Sequence, residues 1–539
     1  MHLPGLDNFR FVQDAFRWSV PRLYNIGVDV CDRWAELDPS RPAVIDVTVG
    51  DTPVVTSFGT LRGASNQLAR ALRCQGILRG DRVAVLLPQQ AEAVAAHVAI
   101  YKLGAIAVPL ASMFGADALS YRLADSGTKA VITNAAGAAK LAGLAPRPGG
   151  LEIVISVDGS DGAALDYRAL LARQPADFQP VRTLADDPAL MIYTSGTTGQ
   201  PKGALHAHRV LPGHLPGVQF SHEFFPRAGD RMWTPADWAW AGGLLNALLP
   251  SLHFGVPVLA RRGERFEPEA ALALMSRHAV RNAFIPPTAL RMLRTATRPG
   301  ARLDLQLRTV TSAGEPLGAE TFAWGQEALG LSINEVFGQT ECNYVLASCA
   351  KLGVSRPGAI GRAVPGHEVG VIRPDGTRCD LGEVGQIAVA RPDPAMFLGY
   401  WNQPAATAAK FIGAWMTTGD QAVADADGYV FFLGRDDDII TSSGYRIGPA
   451  EIEDCLLRHP AVAAVAVVGK PDALRTEIVK AFIVLREGRG GSPELEADIR
   501  AFVRARLSAH EYPREIAFVD ALPMTTSGKV LRRELRARE

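Results

Sequence analysis

Tyr193-Thr194-Ser195-Gly196-Thr197-Thr198-Gly199-Gln200-Pro201-Lys202-Gly203 is the stretch on which the reading of this chain turns. It follows an apolar run at residues 189–192 that suits a buried strand, and it crowds hydroxyls, glycines and one lysine into a single loop. Glycines admit positive φ and let backbone N–H groups close on an anion, while Ser and Thr hydroxyls add donors. A lysine adds a mobile positive charge for phosphate. The chemistry is therefore that of a phosphate cradle. It is not a Walker A loop: Pro201 stands where the second glycine belongs, and Gly203 rather than Ser or Thr follows Lys202.

Upstream of the loop, short apolar runs at 82–87, 105–108, 130–133 and 152–157 alternate with helical composition, clearest at 91–103. Strand–helix–strand alternation at this spacing predicts an α/β fold with a largely parallel sheet covered by helices. The alternation resumes between about 230 and 340, with strands expected at 308–311 and 333–337. From 355 to 433 the texture changes to short runs (369–372, 385–390, 429–433) separated by turns such as Pro374-Asp375-Gly376, which predicts a small antiparallel unit. Beyond 434 the order reads helix (449–458), strand (462–468), strand (478–485), helix (493–507), strand (515–519) and a last basic helix. Residues 135–150 read as a surface excursion. The expected organisation is a large N-terminal domain, 1–434, of two layered parallel-type sheets with a β-barrel-like unit at 355–433. A smaller, mobile α+β domain, 435–539, follows.

Fifty-six basic residues balance 56 acidic ones, so no net charge draws the chain to nucleic acid or an anionic membrane. At 539 residues, 47% hydrophobic and 21% charged, the chain is long enough for several cores, which excludes a disordered polymer and a disulfide-stapled miniature. Its six cysteines lack CxxC spacing, so reduced thiols are expected. No apolar stretch is long enough to span a bilayer and no secretory pattern opens the sequence; the expected location is cytoplasmic, without membrane insertion.

Further motifs follow the loop in order: Ala313-Gly314-Glu315-Pro316, Asn334-Glu335-Val336-Phe337-Gly338-Gln339-Thr340-Glu341, Thr418-Gly419-Asp420, Gly434-Arg435-Asp436-Asp437-Asp438, Ser442-Ser443-Gly444-Tyr445-Arg446-Ile447-Gly448-Pro449 and Pro523-Met524-Thr525-Thr526-Ser527-Gly528-Lys529. Together with the loop they resemble the acyl-adenylate-forming (AMP-binding) superfamily over nearly the whole chain, in the spelling of its medium-chain acyl-CoA synthetases.

That resemblance implies an ATP-dependent acyl-CoA synthetase using ATP, Mg²⁺ and coenzyme A, and it distributes roles. Thr194, Ser195, Gly196, Thr197, Thr198, Gly199 and Lys202 would cradle the phosphates. Gly314, Glu315 and Pro316, with Glu335, Val336, Phe337, Gly338 and Gln339, would line the adenine and α-phosphate. Asp420 would hold the ribose; an aspartate after glycine is otherwise a turn or cap residue, but a carboxylate can accept two ribose hydroxyls. Thr340 would donate to the α-phosphate or the acyl carboxylate, and Glu341 would be the hard oxygen ligand of Mg²⁺. Arg435 and Arg446 would approach ribose and phosphate, Asp437 would be the hinge, and Ser443, Gly444, Tyr445 and Arg475 would meet coenzyme A. Lys529 would be catalytic, its ammonium offsetting repulsion between a carboxylate and the α-phosphate.

Two further expectations concern neighbouring residues. His206 and His208 have neither a third ligand nor a carboxylate at useful spacing, so a metal role is not expected. Trp240, and with less force Trp238, would wall the acyl pocket. Acetyl-specific relatives carry tryptophan where this chain has Gly338, so added pocket volume is expected there and acetate is not the expected substrate; straight or branched acids of about four to ten carbons are what the resemblance to medium-chain acyl-CoA synthetases implies. Benzoate-like acids are the alternative within the reaction, and transfer to a carrier protein is the alternative acceptor. A nucleotide-binding protein without catalysis is the alternative outside enzymes. The motif around Lys529 also resembles a site of lysine acetylation, which implies an acetyltransferase and a deacetylase as partners. Oligomeric state is not legible.

Overall fold

Four sheets organise the chain in the computed structural model, which describes residues 3–48, 52–160, 162, 164–194, 200–263, 266–436, 438–442, 445–472, 476–504, 506–507, 512–525 and 529–538. The first has eight strands in the order Gly399–Tyr400, Lys202–Ala207, Pro188–Thr194, Ile106–Pro109, Arg82–Leu86, Ala130–Thr133, Ile153–Ser156 and Leu165–Asp166. From Pro188–Thr194 onward the pairings are parallel, as the alternating pattern predicts. The phosphate-cradle candidate joins the antiparallel pair at one side, where Thr194 lies opposite Lys202 and Tyr193 opposite Gly203.

The helix Ala91–Lys102 shows why this half folds as it does. It is apolar on nearly every face and is buried from Ala93 to its end, the condition expected of a helix without a polar stripe. Its one buried charge is satisfied: Lys102 Nζ lies 2.6 Å from Asp32 and donates to Ser65 Oγ and Asn66 Oδ1.

The second sheet has nine strands. Its middle runs parallel from Pro42–Asp46 through Val258–Ala260, Met232–Trp233, Asn282–Phe284 and Thr309–Ala313 to Asn334–Gln339, with antiparallel strands at both edges. The largest apolar cluster draws on both sheets, taking Val83, Val85 and Ala107 from the first and Val44, Met232 and Val258 from the second.

A five-stranded antiparallel sheet follows: Val369–Ile372, Gly385–Ala390, Trp415–Ala424 and Phe411–Ile412, with Val430–Arg435 also on Trp415–Ala424. The last sheet orders Tyr445–Ile447, Ile440–Ser442, Thr476–Leu485 and Val462–Asp472, with Glu515–Phe518 parallel to Thr476–Leu485. It packs the helices Pro449–Leu457 and Pro493–Arg504 on an apolar cluster of its own that includes Ile440, Ile452, Leu456, Val467 and Ile499.

One expectation fails. Residues 135–150 are not simply a surface excursion: Ala135–Ala142 is a helix, capped by Asn134, whose Oδ1 accepts from the Gly137 amide. Ala138 and Leu141 are buried, and a Cβ on Gly137 would meet Thr133 Oγ1 at 1.9 Å. Small residues read as loop are here the close contact between helix and sheet. Among the described residues no helix is long and apolar enough to cross a membrane.

Candidate active site

A cleft of about 2430 Å³ opens where the sheets converge, and it gathers side chains from Leu86 to Arg536. Thr194 and Lys202 face it from the hairpin of the first sheet. Tyr193 hydroxyl donates to Asp125 at 2.6 Å and Tyr121 hydroxyl to the Pro201 carbonyl at 2.9 Å, bracing both sides of the loop. Ser195, Gly196, Thr197, Thr198 and Gly199 lie outside the described residues.

Gly314, Glu315 and Pro316 leave the strand Thr309–Ala313 and turn along the cleft wall. Gly314 has φ +103°, a conformation that glycine adopts without the Cβ penalty. The Glu315 carboxylate is engaged, accepting from Arg291 at 2.5 Å and from Thr288 at 3.2 Å. The strand Asn334–Gln339 supplies the next wall. Glu335, Val336, Phe337, Gly338, Gln339, Thr340 and Glu341 all border the cleft. Burial raises the Glu335 carboxyl to about 8, against a single long hydrogen bond from the Leu317 amide at 3.4 Å.

Asp420 sits in the strand Trp415–Ala424 and is buried, 5% exposed. Gln339 donates to its carboxylate at 2.7 Å and Arg435 at 3.2 Å, Arg435 lying opposite it in the strand register. Burial pushes the Asp420 carboxyl upward, opposed by Arg435, Gln339, Lys529 and Lys410. Lys410 has no motif signal, yet its ammonium donates to Gln339 Oε1 at 3.2 Å and the Thr417 carbonyl at 2.9 Å, which fixes the face of the amide that meets Asp420.

Glu341 is 7% exposed and accepts a short hydrogen bond from Tyr400, a second residue that no motif marks. Lys202 Nζ lies 5.2 Å from the centroid of the same Tyr400 ring, so cradle and carboxylate meet through one aromatic. The described residues hold no cluster of three metal-ligating side chains. A lone buried carboxylate on a phosphate-compatible cleft still suits Mg²⁺, which takes one or two protein carboxylates and completes its shell with phosphate oxygens and water.

Lys529 stands in the same cleft. A Cβ on Gly314 would lie 4.0 Å from Lys529 Cε, and the ammonium lowers the Asp420 carboxyl. Its backbone is pinned to the loop base, the Thr525 amide donating to the Lys529 carbonyl at 2.6 Å and the Lys529 amide to Thr525 Oγ1 at 2.9 Å. Asp437, Ser443, Gly444 and Arg475 are outside the described residues, and of Tyr445 and Arg446 only the backbone is described, in the strand Tyr445–Ile447. Their neighbour Asp438 is 8% exposed and pairs with Arg536 at 2.6 Å and Arg532 at 3.4 Å.

On the acyl side, Trp240 borders the cleft and packs edge-on against Phe114 at 5.8 Å, whereas Trp238 is 3% exposed and belongs to the core. His206 and His208 are also core residues, and burial lowers both rings to about 3 and about 4. The volume expected beside Gly338 is not there. A Cβ at this position would meet the Tyr344 amide nitrogen at 2.5 Å and both Asn343 Cα and Asn343 Oδ1 at 2.6 Å. Glycine is required by the close approach of backbone to backbone, and the space is filled by Asn343.

A lysine at a strand end, a buried carboxylate paired with arginine, and a second lysine from the segment beyond Glu515–Phe518 share one cleft suited to a nucleotide. The chain belongs to the AMP-binding enzyme family, whose profile matches residues 31–401, with the AMP-binding enzyme C-terminal domain matching 451–529. Homologues are acyl-CoA ligases of the adenylate-forming type. The chain is 34% identical to acetyl-coenzyme A synthetase of Bacillus subtilis, covering 96% of this chain and 90% of that one. It is 31% identical to the mitochondrial acyl-coenzyme A synthetase ACSM3 of Mus musculus, covering 99% and 94%. Among solved structures, the anthranilate CoA ligase AuaEII in complex with anthranoyl-AMP superposes with a TM-score of 0.88 at 28% identity, over 96% of this chain and 98% of that one.

Proposed function

We propose that this chain joins a carboxylic acid longer than acetate to coenzyme A through an acyl-adenylate, at the expense of ATP. The observation that carries the reading is the shared position of Lys529, Gly314 and Asp420 in one cleft. In the first step a carboxylate oxygen attacks the α-phosphorus; a new O–P bond forms, the bond to the bridging oxygen breaks, and pyrophosphate leaves. Lys529 offsets the repulsion between the two anions and stabilises the charge that builds between them. Asp420, held by Gln339 and Arg435, accepts the ribose hydroxyls. Thr194 and Lys202 hold the outer phosphates. Glu341 would hold Mg²⁺, which when bound neutralises charge on the departing pyrophosphate.

In the second step the coenzyme A thiol attacks the acyl carbonyl, a C–S bond replaces the C–O bond to AMP, and the thiol proton is lost to solvent. We assign this step to a rotated arrangement about Asp437 in which the last domain, 435–539, withdraws Lys529 and brings residues 443–445 and Arg475 toward the thiol. Acylation of Lys529 would silence the first step alone.

Acids of about four to ten carbons remain the favoured substrates, on the resemblance carried by the sequence segments 337–341 and 442–449 rather than on the space at Gly338. The likeness to an anthranilate ligase supports aromatic acids as the second reading. ATP–pyrophosphate exchange and AMP release, measured across C2–C12 and aromatic acids with and without coenzyme A, test the proposal. Exchange with no acid in either series ends it, and a best rate with acetate ends the chain-length assignment.

A further inference from the structure

The acyl side of the cleft contains a pair of carboxamides that a plain alkyl chain does not need. Asn246, 1% exposed, lies in the π-helical segment Gly242–Leu248, a backbone form that concentrates at functional sites. Asn343, 7% exposed, lies in the strand Cys342–Ala347. Both border the cleft, and Asn343 Nδ2 donates to Asn246 Oδ1 at 2.6 Å. One hydrogen bond cannot satisfy two carboxamides. Whichever way the amides are turned, the pair keeps donor N–H groups on one side chain and an acceptor carbonyl on the other. Among the described residues no other hydrogen bond to these two side chains is made.

Their surroundings sharpen the point. A Cβ on Gly338 would touch Asn343 Oδ1 at 2.6 Å, so this carboxamide packs closely against the glycine that borders the cleft. Trp240 walls the cleft nearby in sequence. A polar group in such a place is costly unless something pairs with it. A charged partner would gain no opposite charge from two neutral amides, whereas a hydroxyl both donates and accepts.

We propose that Asn246 and Asn343 read a hydroxyl on the carbon skeleton of the acid, so that the enzyme selects hydroxy-substituted carboxylic acids over their unsubstituted counterparts. This rests on the acyl-adenylate reading given above and names the substrate class of that site. An unsubstituted acid displaces water from the amides and leaves them unpaired, which lowers its kcat/KM.

The test is acid-dependent ATP–pyrophosphate exchange on matched pairs, alkanoate against hydroxyalkanoate and benzoate against hydroxybenzoate, with the wild-type chain. The expected result is a preference of about tenfold or more for the hydroxylated member of at least one pair. Asn246→Leu should bring that ratio toward one by lowering the hydroxy acid's kcat/KM more than its partner's. Asn343→Ala serves as the second variant, with thermal unfolding to establish that each is folded. A wild-type preference for the unsubstituted member in every pair overturns the proposal, as does a ratio unmoved in both folded variants. Exchange with no acid at all would instead refute the ligase reading itself.

Discussion

Asp454, in the helix Pro449–Leu457, accepts a hydrogen bond at 3.2 Å from the amide of Ala319, the first residue of the helix Ala319–Trp324. The carboxylate thus reaches from the last sheet's helix layer across the cleft and occupies the place of an N-cap. A Cβ on Gly318 would meet it at 2.8 Å, so the contact depends on glycine there. Losing an N-cap oxygen costs about 0.5–2 kcal/mol. Asp454→Ala should therefore lower pyrophosphate exchange by about two- to thirtyfold while leaving thioester formation from supplied acyl-AMP unchanged or faster. Equal loss of both half-reactions would separate this contact from the position of Lys529.

Lys529→Ala should lower adenylation by about 10²–10³-fold or more, as for the loss of a single preorganised donor. Conversion of supplied acyl-AMP and coenzyme A to thioester should survive. A variant that folds and loses both steps alike would place the amine in the wrong role.

Asp420→Ala removes the acceptor that Gln339 and Arg435 hold in place. The KM for ATP should rise by about tenfold or more, with a smaller effect on the KM for the acid. Lys410→Met should give a weaker form of the same change, because it frees the Gln339 amide to turn. Unchanged KM for ATP in both variants would exclude the ribose assignment.

Asp237 borders the cleft beside Trp240, and burial raises its carboxyl to about 6 from the ordinary 3.8, with one compensating hydrogen bond from the Ala239 amide at 2.9 Å. Because the folded state holds this proton more tightly than the unfolded chain, unfolding releases it between about pH 4 and 6. Stability from this group is highest below pH 4 and falls as pH rises through 6. Asp237→Asn should flatten that part of the curve of Tm against pH; an unaltered slope would contradict the assignment.

Gly338→Ala offers a direct contrast between two readings of one residue. If glycine merely left room for substrate, a methyl group would trim acid length and little else. The 2.5 Å approach of its Cβ position to the Tyr344 nitrogen instead predicts a fall in Tm with every acid affected, consistent with an overpacking cost of about 1–3 kcal/mol. A stable variant with only a shifted chain-length profile would decide for the first reading.

The parallel sheets were legible because their strands are short apolar runs punctuated by helices, as at residues 130–133, where expectation and strand coincide. Asp420 and Lys529 were singled out by the resemblance of their motifs, and the fold brings both to the one cleft that Thr194 and Lys202 also border. What escaped was whatever depends on distant parts of the chain. Tyr400 and Lys410 carry no local pattern, and only the folded pairing of Gly399–Tyr400 with Lys202–Ala207 brings the tyrosine under Lys202. The pairing of Asp438 carries no local signal because its arginine partners lie 94 and 98 residues away. Residues 135–150 read as a surface excursion because the glycine and alanines that pack closely at 135–142 leave no wide hydrophobic stripe to read.

The polypeptide passes from Val430–Arg435 into the strand Ile440–Ser442, and among the described residues no later strand pairs with the three earlier sheets. A Cβ on Gly448 would meet the Leu433 carbonyl at 2.2 Å, which seats the returning chain tightly against the point of departure. If the proposed rotation carries Lys529 out of the cleft, cutting the chain between residues 435 and 440 should abolish pyrophosphate exchange, and exchange that survives the cut would count against it.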